Sequence, residues 1–176
     1  MSGGAGRIPI VLRNVPIPEP HLALLAVGLV LQAARPLRLP VPTRPATWGA
    51  GVGVGISAAA IAWATGAPGD VDMAQPDRLV TSGPYGLTRH PMYEAWTSLY
   101  ASIALGLRNG WLAALLPVLL ARVHRDTGRE DARLRQRFGR AHAAYSRAVP
   151  RYLTIRLAKM VRGSARHSTR RLGRRR

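Results

Sequence analysis

Between Leu79 and Tyr93 the chain reads Leu-Val-Thr-Ser-Gly-Pro-Tyr-Gly-Leu-Thr-Arg-His-Pro-Met-Tyr, and its chemistry is concentrated there. A Gly-Pro turn leads to Tyr85, Arg89, His90 and Tyr93, and Glu94 follows one helical turn after His90. An imidazole and a carboxylate so placed can exchange protons with a bound molecule, and aromatic faces beside an acid suit a cation. The cluster sits at the mouth of an apolar segment. A helix that only crosses a bilayer gains nothing from an Arg-His-Pro step there, because charge and imidazole are costly to desolvate and proline removes a backbone donor. Further on, Asp126, Glu130 and Asp131 are the only carboxylates after Glu94, set in a region that holds 18 of the 26 basic residues. Acids in that company are candidates for a site rather than for ordinary solvation.

The elements that must position these groups are apolar blocks. The chain has 176 residues, room for about one domain, and 47% of them are hydrophobic with Phe138 the one phenylalanine. Cysteine is absent, which removes disulfides and thiolate zinc sites, and no metal site is expected. Leu22 to Ala34 is apolar but short, so it spans only with snorkelling ends or a thinned bilayer. Ala46 to Gly69 is uncharged apart from its flanks and long enough for the roughly 20 residues of a spanning helix. Its Gly51 and Gly55 form a small-xxx-small pair suited to close helix approach. Met92 to Leu107 and Trp111 to Ala121 read as an antiparallel membrane hairpin turned at Arg108-Asn109-Gly110. A soluble bundle is the competing reading.

The expected fold is therefore all-α: a polytopic membrane protein of about four transmembrane helices. The hairpin returns the chain to the side on which Arg89-His90 entered, and the arginine-rich end places that side, with both termini, in the cytoplasm. Arg35, Arg38 and Arg44 then lie outside. Beyond the hairpin, Leu134, Phe138, Ala141 and Tyr145 draw an apolar stripe down a cytoplasmic amphipathic helix, which either lies on anionic lipid or covers the hairpin mouth so that Glu130 and Asp131 meet Arg89-His90. Residues 1–20 form an N-terminal segment, 21–153 the membrane domain, and 154–176 a disordered Arg-rich tail. The tail is expected to meet anionic lipid headgroups; no specific nucleic-acid partner is expected, since no aromatic follows Tyr152. The N-terminus lacks a cleavable-signal pattern, and the Arg/Ala/Gly bias favours a bacterial cytoplasmic membrane.

The Leu79–Tyr93 run, the apolar hairpin, then Glu130-Asp131, Leu134, Phe138-Gly139, Tyr145 and Val149-Pro150 resemble the isoprenylcysteine carboxyl methyltransferase family and its phospholipid methyltransferase relatives, over 79–153. The resemblance implies an integral membrane enzyme that transfers a methyl group from S-adenosylmethionine to a lipid-like acceptor, carboxylate, phenol or amine, entering from the bilayer. Carried over by position, the cofactor pocket is lined by Leu79 and Val80 of an approach strand, Tyr85, His90, Pro91, Met92, Tyr93 and Glu130, with Arg89, His90 and Glu94 as catalytic candidates. Departures are instructive. Asp126 stands where an acceptor-binding arginine occurs in eukaryotic relatives, which weakens the case for an anionic acceptor, and His142 stands where a tyrosine is common.

Each residue also has a plainer reading. His90 is a solvated helix-start imidazole, Arg89 a positive-inside arginine, Glu94 an acid favoured by the helix dipole, and the tyrosines membrane-interface aromatics. Two other function classes compete: a membrane reductase of related helical architecture using NADPH, and a non-catalytic membrane protein whose basic tail binds lipid or nucleic acid.

Overall fold

A computed structural model describes residues 18–153. The N-terminal segment before Pro18 and the Arg-rich tail lie outside the described residues. Among these, the chain is all-helical: α1 (Glu19–Ala34), α2 (Thr43–Gly66), a 3₁₀ turn (Gly83–Gly86), α3 (Pro91–Gly106) and α4 (Gly110–Ala148). Prolines mark the edges. Pro42 precedes α2, Pro36 follows the end of α1, and Pro91 occupies the first turn of α3, where its missing N–H has no helical partner to lose.

Of the four helices, α2 with its 24 residues is long and apolar enough by itself to cross a bilayer, whereas α1 and α3 have 16 residues each. One face of α2 points away from the bundle. Trp48 is 77% exposed and Val52 59%, and Ile56 and Trp63, also exposed, stand at the edge of that face toward α3. So much exposed apolar surface is costly in water and natural against lipid. Trp48 and Trp63 are about 22 Å apart along the axis at 1.5 Å per residue, the placement of interface aromatics near the two ends of a span.

The opposite face of α2 packs along α3. Small residues make that possible, but not the pair that the sequence suggested. Gly51 and Gly55 face open space, while a Cβ on Gly53 would strike the Ser102 hydroxyl and one on Gly49 would lie 3.3 Å from Leu105 Cδ2. Across the same interface a Cβ on Gly106 would come within 2.9 Å of Ala50 Cβ. Gly53→Val is therefore expected to destabilise the fold by about 1 to 3 kcal/mol through overpacking. Gly55→Val, with the same change in helix propensity, is expected to be near neutral; thermal unfolding in detergent compares the two.

The α1–α2 connection is sewn to the α3–α4 turn at one end of the bundle. The Gly110 N–H donates to Leu37 O at 2.7 Å, the Leu39 N–H to Arg108 O at 2.9 Å, and Trp111 Nε1 to Arg35 O at 2.7 Å. Arg108 adopts φ +49°, and Asn109 caps α4 by accepting from the Leu112 N–H at 3.0 Å. The tight turn and the antiparallel hairpin thus form where the sequence placed them. Tyr100, Ala104, Leu112, Leu119 and Val123 fill the core beneath.

Two expectations need correction. The fourth apolar segment does not stop at Ala121: α4 runs on for 39 residues, so the amphipathic helix is its continuation and not a separate element. The continuation carries the acids straight out of the hairpin. At Gly139, with φ +48° and ψ −115°, α4 kinks, and this breaks the stripe. Ala141 is exposed, whereas Val123, Thr127 and Asp131 face inward before the kink and His142 and Tyr145 after it. The inward face is largely polar, so hydrophobic periodicity could not reveal it.

Candidate active site

At the end of the bundle away from the sewn turns, the two halves of the motif meet. Gly83, at φ +59°, starts the 3₁₀ turn that buries Tyr85. The Tyr145 hydroxyl donates to Tyr85 O at 2.7 Å and the Arg89 N–H to Pro150 O at 3.0 Å, so the chain beyond the kink is pinned to the segment that enters α3. His90 then serves as N-cap of α3 and is 2% exposed.

Asp131 is the hub. Arg89 Nη1 lies 2.9 Å from Asp131 Oδ1, Arg151 Nη2 2.8 Å from Oδ2, and His90 Nε2 3.3 Å from Oδ1. His142 Nε2 adds a contact at 3.6 Å. Glu130 approaches the other side of His90, its Oε2 at 3.6 Å from Nδ1. Burial alone would lower the His90 pKa; the carboxylates of Asp131 and Glu130 outweigh it, and the net shift is upward. For Asp131 burial pulls upward, but His90, Arg151 and Arg89 win and hold its carboxyl well below the usual range. His142 goes the other way from His90, lowered by burial that the Asp131 charge only partly offsets. One imidazole is thus held toward its charged form and the other toward its neutral form.

A cavity of about 540 Å³ opens beside this network. Tyr85, His90, Pro91, Met92, Tyr93 and Glu130 all line it, as does Arg89. Leu79 and Val80 do not belong to its wall: they lie half-buried in the loop before the 3₁₀ turn, which has no strand partner, so the approach strand does not form. The wall mixes the carboxylates of Glu19, Asp126 and Glu130 with four arginines, 89, 122, 129 and 133. Asp126 is paired with Arg122 at 2.8 Å.

Glu94 lies elsewhere. It lines a second cavity of about 650 Å³ between α2, α3 and α4, whose wall is mainly apolar, with Ile56, Trp63, Leu120 and Val123 among its residues. The Glu94 carboxylate accepts from the Leu153 N–H at 3.0 Å and from the Thr88 hydroxyl. His124 and Tyr152, 3.1 Å apart, add polar groups to this wall. Pro91 and Tyr93 line both cavities.

The sequence favoured Glu130 over Asp131 and gave no role to Arg151 or to His21, which lines the polar cavity; Trp96, on the same wall, read only as a membrane-interface aromatic. The signal for Asp131 was its spacing of four from Thr127 and eight from Val123, which puts it on the buried face of α4. Arg151 and His21 carried no local signal, since their partners are distant in sequence.

The helical bundle thus carries a polar, mixed-charge cavity at one end and a mainly apolar cavity beside it. The model of the phospholipid methyltransferase family matches residues 51–141, just over half of the chain, and the chain belongs to that family. Membership marks it as a membrane-associated methyltransferase of lipid-like substrates. No curated protein and no solved structure gives a match.

Proposed function

We propose that the protein is an integral membrane S-adenosylmethionine-dependent methyltransferase, with the cofactor in the polar cavity and a lipid acceptor in the apolar one. The observation that carries this reading is the pair of unlike cavities sharing the Pro91–Tyr93 wall. The donor set of the first fits the cofactor, because a wall of mixed sign suits a molecule with an ammonium, a carboxylate and a sulfonium. Tyr85, His90, Tyr93 and Glu130 would hold it, and when bound it supplies an electrophilic methyl group. Orientation across the shared wall matters more than acid catalysis, since methyl transfer is an in-line displacement. We read α1, α3 and the apolar start of α4 as membrane-embedded beside α2, with the site at the cytoplasmic face.

His90, held toward its charged form between two carboxylates, is a poor proton acceptor. Its role is to position Asp131 and Glu130, together with Arg89, and the base role passes to Glu94. Among the described residues, those lining the apolar cavity include that carboxylate and no lysine or arginine. An acceptor carboxylate would meet like charge there without a counter-cation, so the cavity favours an amine or phenol headgroup, whose proton Glu94 takes. This departs from the prenylcysteine carboxylate that the sequence resemblance left open. Transfer of labelled methyl to long-chain lipids headed by an amine, a phenol or a carboxylate tests it: the first two are expected to be labelled. Glu94→Gln is expected to lower kcat about 10²-fold on those acceptors. Preferential labelling of the carboxylate lipid would overturn the assignment.

A further inference from the structure

Among the described residues, four that line the polar cavity carry a buried polar atom without a hydrogen bond; Arg89 Nε and His90 Nε2 belong to side chains paired with Asp131, which leaves His21 Nδ1 and Trp96 Nε1. His21, from α1 and outside the family match, is 5% exposed, and its Nδ1 has no hydrogen bond. Trp96, from α3, has a buried Nε1–H that is likewise unpaired. Leaving a buried donor or acceptor unsatisfied is costly, so a pair of them on one cavity wall marks where a ligand's polar edge would be rewarded.

The hydrogen-bond network specifies what His21 offers. Its Nε2 lies 3.0 Å from the Thr97 hydroxyl oxygen. That hydroxyl donates its single proton to Tyr93 O at 2.8 Å, so toward His21 it can only accept. Nε2 therefore carries the imidazole proton, and Nδ1 presents a lone pair. The residues of the wall thus carry one buried neutral acceptor, His21 Nδ1, and one buried neutral donor, Trp96 Nε1–H, on two helices that the His21–Thr97 bond holds together. Neither atom is charged, and Pro18, Pro20, Met73 and Met92 line the same cavity. Charged ends of a ligand are served by the arginines and acids; this pair suits a flat, uncharged heterocycle.

We infer that His21 and Trp96 read the base of the cofactor, His21 Nδ1 accepting from an exocyclic amino group and Trp96 Nε1–H donating to an adjacent ring nitrogen, the pattern carried by adenine. The inference rests on the S-adenosylmethionine reading above. It makes α1 a specificity element and gives Thr97 a positioning role through the His21 tautomer.

The test is calorimetry on the full chain in detergent with S-adenosylhomocysteine and S-inosylhomocysteine, in which a keto oxygen and a ring N–H reverse the donor and acceptor. The wild type should prefer the adenosyl compound by about tenfold or more. His21→Phe should lower adenosyl affinity by about tenfold and leave inosyl affinity unchanged, and Trp96→Phe should compress the same ratio. If His21→Phe does not fold, the wild-type preference and Trp96→Phe decide. Equal losses on both compounds would show that His21 only staples α1 to α3, and tight adenosyl binding with no base preference would overturn the inference while leaving the cofactor reading intact. Absence of binding by either compound would overturn both.

Discussion

Asp131→Asn is expected to cost about 3 to 5 kcal/mol of stability and to abolish activity, more than any other single change at the site. The reason is electrostatic. Arg89, Arg151 and His90 converge on one carboxylate that is 6% exposed, and removing its charge leaves two guanidiniums and an imidazole facing each other at low solvent access. The same carboxylate ties the chain after Pro150 to the entrance of α3, so its loss should also free the segment beyond the Gly139 kink. Thermal unfolding in detergent measures the cost. Its pH dependence gives a second readout with a definite sign. The Asp131 pKa is depressed, so its contribution is present above the unfolded value of about 4 and is lost as pH falls through the folded one. The His90 pKa is raised, so its contribution is complete below about 6.5 and is lost as pH rises through the folded value. The joint contribution of Asp131 and His90 should therefore be greatest between about pH 4 and 6.5, and because His142, shifted down, acts in the opposite sense below about 6.5, the readout is the difference between Asp131→Asn and wild type, which should be largest in that window and shrink on both sides.

Glu130→Gln should separate binding from folding. Glu130 lines the polar cavity with its side chain 37% exposed, and its contact to His90 is longer than any made by Asp131 except that with His142. Neutralising it leaves the buried hub intact, so the melting temperature should move little. Its loss removes an acid facing the cationic part of the cofactor, and S-adenosylmethionine affinity should fall roughly 10- to 100-fold, about 1.5 to 3 kcal/mol for a hydrogen bond to a charged group. Uncharged analogues should lose less. A large drop in thermal stability with unchanged affinity would reverse the roles assigned to Glu130 and Asp131.

The contrast between these neighbours shows where the sequence was legible. Leu79 to Tyr93 stood out because an Arg-His-Pro step at the mouth of an apolar block is costly for a helix that only crosses a bilayer, and the Arg108-Asn109-Gly110 turn was readable from local backbone chemistry. The distinction between Glu130 and Asp131 was not. It depends on which side of α4 faces Arg89 and Arg151, and Arg151 arrives from beyond a glycine kink that resets the helix phase. The interface of α2 was misassigned for a similar reason: Gly49, Gly51, Gly53 and Gly55 alternate, and only packing against Ser102 and Leu105 selects 49 and 53. Continuity of α4 past Ala121 was hidden by the change from apolar to arginine-rich composition, which does not mark the end of the helix.

The central claim is that the cavity lined by Tyr85, His90, Tyr93 and Glu130 holds S-adenosylmethionine. Titrating the detergent-purified protein with S-adenosylmethionine and separately with NADPH tests it most directly. Saturable S-adenosylmethionine binding at one site per chain, weakened by Glu130→Gln and untouched by NADPH competition, is the expected result. Saturable NADPH binding in its place, or no saturable binding of either molecule, would contradict it.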